Sequence, residues 1–174
     1  MQQKTILFIG DSLTEFFDWQ KRFPGHKVVN LGSAGETVEG LLSRTDRITK
    51  LTPSPDMIFL MTGINNVAME DYAFLDSYRR IVEKLSAAFP CVRLFIQSIL
   101  PARVPWISGE SILSLNHSLR EIAETAGREY LDIYSLFIGP DGSGVRDYFL
   151  PDGVHLSGEG YAAWSKALEH LLAA

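Results

Sequence analysis

The residues of this sequence with the clearest chemical potential lie near its two ends: Ser12 at one, Asp152 and His155 at the other. Ser12 belongs to the stretch Ile6-Leu7-Phe8-Ile9-Gly10-Asp11-Ser12-Leu13-Thr14. Four consecutive apolar residues read as a buried strand that Gly10 ends. Leu13, Phe16, Phe17 and Phe23 then fall near helical spacing. A serine at such a junction sits on a tight strand-to-helix turn. Its hydroxyl is presented beside the free N–H groups of the new helix, which favour developing negative charge. Taken alone, the same serine reads as a helix N-cap. To act as a nucleophile it needs a base within hydrogen-bonding distance.

The chain has four histidines. His26 begins a strand beside a turn, and His117 and His170 lie within helical patterns off the apolar stripes, so a solvated role suits all three. His155 differs, because it follows the last strand and has an aspartate three residues earlier. In Asp152-Gly153-Val154-His155, Gly153 permits the chain to fold back so that the carboxylate meets the imidazole Nδ1. Nε2 is then free to take a serine proton, and the imidazolium is stabilised. Read alone, the spacing also describes an ordinary acidic turn. Two further loops offer donors for an oxyanion. Gly35, in Gly32-Ser33-Ala34-Gly35-Glu36-Thr37, presents a backbone N–H with no Cβ in the way. Asn65, in Thr62-Gly63-Ile64-Asn65-Asn66, presents a side-chain amide. The Ser12 N–H makes a third donor. Individually, these two read as a loop glycine and a turn former.

The elements that must position these groups follow from periodicity. Strands are expected at Ile6 to Ile9, His26 to Leu31, Met57 to Met61, Val92 to Ile96 and Tyr130 to Tyr134. Helical stripes run through Val38, Leu41, Leu42, Thr45 and Ile48, and through Phe74, Leu75, Tyr78, Ile81, Val82, Leu85 and Phe89. Two more comprise Ile112, Leu115, Leu119, Ile122, Ala123 and Ala126, then Tyr161, Trp164, Leu168, Leu171 and Leu172, with Ser157 as the last helix's N-cap. Pro24-Gly25, Pro53, Pro55 and Pro90 punctuate them. This alternation implies an α/β three-layer sandwich around a doubly wound, five-stranded parallel sheet of order 2-1-3-4-5. In that topology Ser12, Gly35, Asn65 and the Asp152/His155 loop all follow strands and meet at one crevice. No repeat or linker divides residues 1–174, which read as one domain.

Composition bounds the partners. The chain has 16 Lys and Arg against 21 Asp and Glu, a formal charge of -5. No basic run appears, which argues against nucleic acid and anionic membrane surfaces. No apolar stretch approaches the ~20 residues of a membrane helix, and the N-terminus has no secretory pattern, so the chain reads as cytoplasmic, without stable membrane insertion. Cys91 is the only cysteine. It opens an apolar run and reads as a small buried hydrophobe.

Taken together, the four loop motifs resemble the SGNH/GDSL hydrolases. Gly10-Asp11-Ser12-Leu13 is similar to that family's first block and Ser33-Ala34-Gly35-Glu36-Thr37 to its second. Gly63-Ile64-Asn65-Asn66 is similar to the third, and Asp152-Gly153-Val154-His155-Leu156 to the last. The blocks occur in family order and span nearly the whole chain. The resemblance implies a flavodoxin-like fold and hydrolysis of esters or thioesters without cofactor or metal. It implies Ser12 as nucleophile, Asp152 and His155 as its triad partners, and Ser12, Gly35 and Asn65 as the oxyanion hole. Gly32 competes with Gly35 for the second-block glycine and ranks below it. Glu36 stands where aspartate is frequent in the family, and so does Asn66. Asn-Asn also occurs in the branch of the platelet-activating-factor acetylhydrolase catalytic subunits.

The expected substrate is a small-molecule ester with a short acyl group. Val104, Trp106, Phe149 and Val154, apolar residues on loops, are candidates to contact it, and a homo-oligomer stays open. Two other readings share this fold class. A magnesium-dependent phosphatase would attack with Asp11, but its second aspartate is replaced by Leu13. A flavin- or nucleotide-binding module would need a phosphate cradle where Asp11 and Glu15 stand.

Overall fold

A computed structural model describes residues 3–52 and 54–173, so Pro53 lies outside the described residues, as do Met1, Gln2 and Ala174. The elements run β1 (Thr5–Gly10), α1 (Ser12–Glu15), α2 (Trp19–Arg22), β2 (Lys27–Gly32), α3 (Val38–Leu51), β3 (Met57–Met61), α4 (Ile64–Ala68), α5 (Leu75–Ala88), β4 (Arg93–Gln97), α6 (Gly109–Thr125), β5 (Glu129–Leu131) and α7 (Gly158–Ala173). The five strands form one sheet of order β2-β1-β3-β4-β5, and every pairing is parallel. The sandwich and strand order expected from the sequence are those observed.

The continuous apolar runs become strands covered on both faces: all of Met57 to Met61 is buried, as is Ile6 to Gly10. Parallel sheets show this pattern because crossover helices shield both sides. Phe8, Phe59 and Phe95 are register partners on β1, β3 and β4. Their rings stack across the sheet at 5.1 and 4.8 Å, and Trp19 lies on Phe8 at 4.0 Å. Trp19 also meets Trp164 edge-on, so α2 and α7 cover this face. On the other, α3 packs along α5 and α5 against α6. Tyr78, Ile81, Val82 and Leu85 of the predicted α5 stripe are fully buried.

Four local expectations are corrected. The continuous first helix is instead two short turns, α1 and α2. Asn30 Nδ2 donates to the carbonyls of Thr14, Glu15 and Phe17, and the Trp19 indole N–H donates to Thr14 as well. Carbonyls that would extend the helix are thereby taken. Strand β5 ends at Leu131 because Asp132 caps a new turn through the N–H and hydroxyl of Ser135. Asn65 and Asn66 belong to the short helix α4 and not to a simple turn. Cys91 is exposed, since β4 begins two residues later and the cysteine stays in the turn after α5. Among the described residues, no helix is long and apolar enough to cross a membrane.

Candidate active site

The turn that carries Ser12 is tight enough to require glycine before it. A Cβ at Gly10 would lie 2.1 Å from the Met61 carbonyl oxygen and 2.4 Å from Thr14 Oγ1. Asp11 caps α1: its Oδ1 accepts the Leu13 N–H at 3.0 Å. Its backbone oxygen accepts from Thr14 and Glu15. Tyr161 holds the same turn by donating its hydroxyl to the Leu13 carbonyl at 2.9 Å. Ser12, the first residue of α1, is therefore rigidly presented.

His155 Nε2 lies 3.0 Å from Ser12 Oγ, and His155 Nδ1 lies 2.7 Å from Asp152 Oδ2. The second carboxylate oxygen, Oδ1, accepts the N–H groups of Val154 and His155, both at 2.9 Å. The four-residue motif is thus a self-clasped turn whose carboxylate aims the ring beside it. Burial acts to raise the Asp152 carboxyl. The hydrogen bonds from Val154 and His155, with the ring's charge, outweigh it and hold the group below its ordinary value. With Asp152 ionised, the proton of the neutral ring belongs on Nδ1 and Nε2 is the acceptor.

Gly153 secures this turn against the loop after β4. Its φ is +74°, its carbonyl accepts the Arg103 N–H at 2.7 Å, and a Cβ there would lie 2.6 Å from the Arg103 carbonyl oxygen. Gly153→Ala is expected to cost roughly 1–2 kcal/mol for the left-handed backbone alone. The backbone overlap adds to this and turns His155 away from Ser12, lowering kcat. Urea denaturation and turnover measure the two effects; an unchanged midpoint and rate would refute the argument.

The donor groups sit on neighbouring strands at the same sheet edge: Ser12 follows β1, Gly35 follows β2 and Asn65 follows β3. The Gly35 loop is tied down by Ser33 N–H on the Gly10 carbonyl and by Ala34 N–H on Glu15 Oε2. Gly35 takes the third position of the Ser33–Glu36 turn with φ +74°, a conformation that favours glycine. Asn65 Nδ2 donates to the Glu36 carbonyl at 2.9 Å, which fastens α4 to this turn. Among the described residues, the N–H groups of Ser12 and Gly35 donate to no acceptor in the chain. Gly32 differs, because its N–H is already bonded to Asn30 Oδ1 at 3.0 Å. Of the two competing glycines, Gly35 has the available donor.

Asp11 is only 1% exposed, and one of its oxygens, Oδ2, has no hydrogen-bond partner. Burial raises its pKa to about 7. The Leu13 N–H and the charge of His155 oppose that rise, and Glu36 adds to it. A carboxylate turned inward and used as a cap is not presented for the in-line attack that the phosphatase reading requires.

The four candidate substrate-contacting residues separate. Trp106 is exposed, and Val104 and Val154 are half-buried. Phe149 is buried, with its ring edge-on to Phe137 and against Gly144. Sequence periodicity placed Phe16 on the inner face of a helix, yet it is 58% exposed and its ring lies 5.4 Å from that of His155. The one available signal was its distance of four residues from Ser12.

The family model described as GDSL-like Lipase/Acylhydrolase matches residues 8–163. The platelet-activating factor acetylhydrolase IB subunit alpha2 of Homo sapiens is 25% identical over 178 residues, covering 98% of this chain and 77% of the relative. A solved structure from Streptococcus pneumonia, described by the words platelet activating factor, superposes with a TM-score of 0.89 at 29% identity, covering 98% of this chain and 85% of that one. A GDSL-like lipase from Bacteroides thetaiotaomicron superposes with a TM-score of 0.78 at 25% identity, covering 98% and 88%.

Proposed function

The chain belongs to the GDSL-like lipase/acylhydrolase family and so to the carboxylic ester hydrolases, and on that premise we propose that it is a cofactor-independent serine esterase acting on short-acyl esters. The observation that carries this reading is the continuous chain from Asp152 to His155 to Ser12, with links of 2.7 and 3.0 Å. In the acylation step His155 Nε2 takes the Ser12 proton as Oγ bonds to the ester carbonyl carbon. The oxyanion so formed is met by the Ser12 and Gly35 N–H groups and the Asn65 amide. The C–O bond then breaks, and the alcohol leaves with the proton from His155. Water, deprotonated by the same nitrogen, attacks the acyl-serine; the bond from the acyl carbon to Oγ breaks, His155 returns the proton to Ser12 Oγ, and the acid is released. Every group this cycle uses is a side chain or backbone N–H of the chain, which is why no cofactor is invoked.

The short-acyl preference rests on two supports. One is the acetylhydrolase relative, whose name specifies the acetyl group and which aligns over 98% of this chain. The other is Phe16, whose exposed ring stands 5.4 Å from that of His155, where it would border the acyl group and limit its length. A series of p-nitrophenyl esters tests it. kcat/KM is expected to be highest for acetate or butyrate and to fall at least tenfold by octanoate, since each misplaced methylene in a restricted site costs on the order of 1 kcal/mol. A preference for C8 and longer would refute the short-acyl reading while leaving the esterase reading intact.

A further inference from the structure

Asn66 is fully buried, and every polar position of its amide is in use. Its Oδ1 accepts the N–H of Val38, the first residue of α3, at 2.9 Å. Its Nδ2 donates to Glu39 Oε2 at 2.9 Å and to Asp71 Oδ2 at 3.0 Å. Its backbone carbonyl accepts the Asp71 N–H, also at 2.9 Å. One residue thereby joins the first turn of α3, the start of α4 and the loop that follows α4. Its neighbour Asn65 holds the Glu36 carbonyl. The segment from Glu36 to Val38, directly after Gly35, is therefore pinned at both ends by consecutive residues of α4.

The partners of the Asn66 amide explain why it is an amide. Both N–H bonds end on carboxylates, and an asparagine supplies two donors where an aspartate supplies none. An aspartate at this position would set a buried carboxylate against those of the exposed Glu39 and the half-buried Asp71, with no donor among the three side chains. The Val38 N–H, one of the otherwise orphaned donors of a helix N-terminus, would be the only group left to satisfy it. Repulsion from Glu39 and Asp71 would move α4 and the Gly35 turn apart.

We propose that Asn66 is a positioning residue for the oxyanion donors Gly35 and Asn65, and that Glu39 and Asp71 require it to be an amide. This rests on the esterase reading above. The experiment compares wild type, Asn66→Asp, Asn66→Ala and the charge-conserving exchange Asn66→Asp/Asp71→Asn on p-nitrophenyl acetate, with a thermal melt of each protein.

Asn66→Asp is expected to lower kcat about 10²-fold with KM nearly unchanged, as displacement of transition-state donors by about 1 Å does. The exchange variant restores a donor between positions 66 and 71, with its polarity reversed. It is expected to recover at least tenfold of the loss. Asn66→Ala removes the bonds without adding charge and is expected to lose less than Asn66→Asp. Should Asn66→Asp fail to fold, a folded exchange variant within about tenfold of wild type supports the proposal, and a folded one below a hundredth of wild type overturns it. The proposal is also overturned if Asn66→Asp keeps its kcat, changes only KM, or is not improved by the exchange. A wild-type chain that does not turn over the ester overturns the esterase reading itself, and this inference with it.

Discussion

Ser12→Ala is expected to abolish ester turnover, lowering kcat by at least ~10⁴-fold, while the protein stays folded. The hydroxyl is the only atom removed. Without it His155 has nothing to deprotonate but water, and the donors at Gly35 and Asn65 can stabilise only that slow attack. The cost to folding is small. The Ser12 hydroxyl gives up one hydrogen bond, to His155, worth about 1 kcal/mol. The Asp11 cap and the Tyr161 bond that hold α1 involve other atoms. Turnover and a melting curve therefore separate chemistry from stability, and a covalent organophosphorus probe should label wild type but not the variant. Rates within tenfold of wild type would remove Ser12 from the mechanism, whatever the fold.

Asp11→Asn is expected to stabilise the protein at pH 8 and to remove the fall in stability that Asp11 contributes between about pH 4 and 7. The Asp11 carboxyl has an ordinary value of 3.8, and burial raises it to about 7 in the folded chain. Between those values the native state holds a proton that the unfolded state has released. Stability therefore falls as pH rises through this window. Below about 4 both states are protonated and the group contributes no slope. Above about 7 the full penalty applies, some three pH units at ~1.4 kcal/mol each, or about 4 kcal/mol.

Asparagine keeps the oxygen that caps Leu13 but buries an NH₂ where Asp11 Oδ2 has no partner. That costs about 1–3 kcal/mol at every pH. The two urea-denaturation profiles should therefore cross, with wild type the more stable at pH 4 and the variant at pH 8. Parallel profiles would mean that Asp11 is not titrating in this range.

The site also shows how sequence and tertiary structure divide the information. Much of what is set within a few residues was legible. Apolar runs marked the strands, since a strand buried on both faces needs no alternation, and the α5 stripe marked its inward face. Asp152, Gly153 and His155 form one turn, so their spacing alone indicates that carboxylate and ring can meet. The order of strands and helices then placed Ser12 and His155 at a common edge, because right-handed crossovers leave few alternatives.

What depends on partners far along the chain was not legible. The first helix breaks because Asn30, from a neighbouring strand, takes its carbonyls. The burial of Asp11, the exposure of Phe16 beside His155 and the three-way bonding of Asn66 belong to the same class. Periodicity records which side chains leave water, whereas the pairing of donors with acceptors depends on where the sheet lays its loops. Architecture and reactive groups can be read from residue order; the hydrogen bonds that aim those groups exist only once the folded sheet has brought distant loops together.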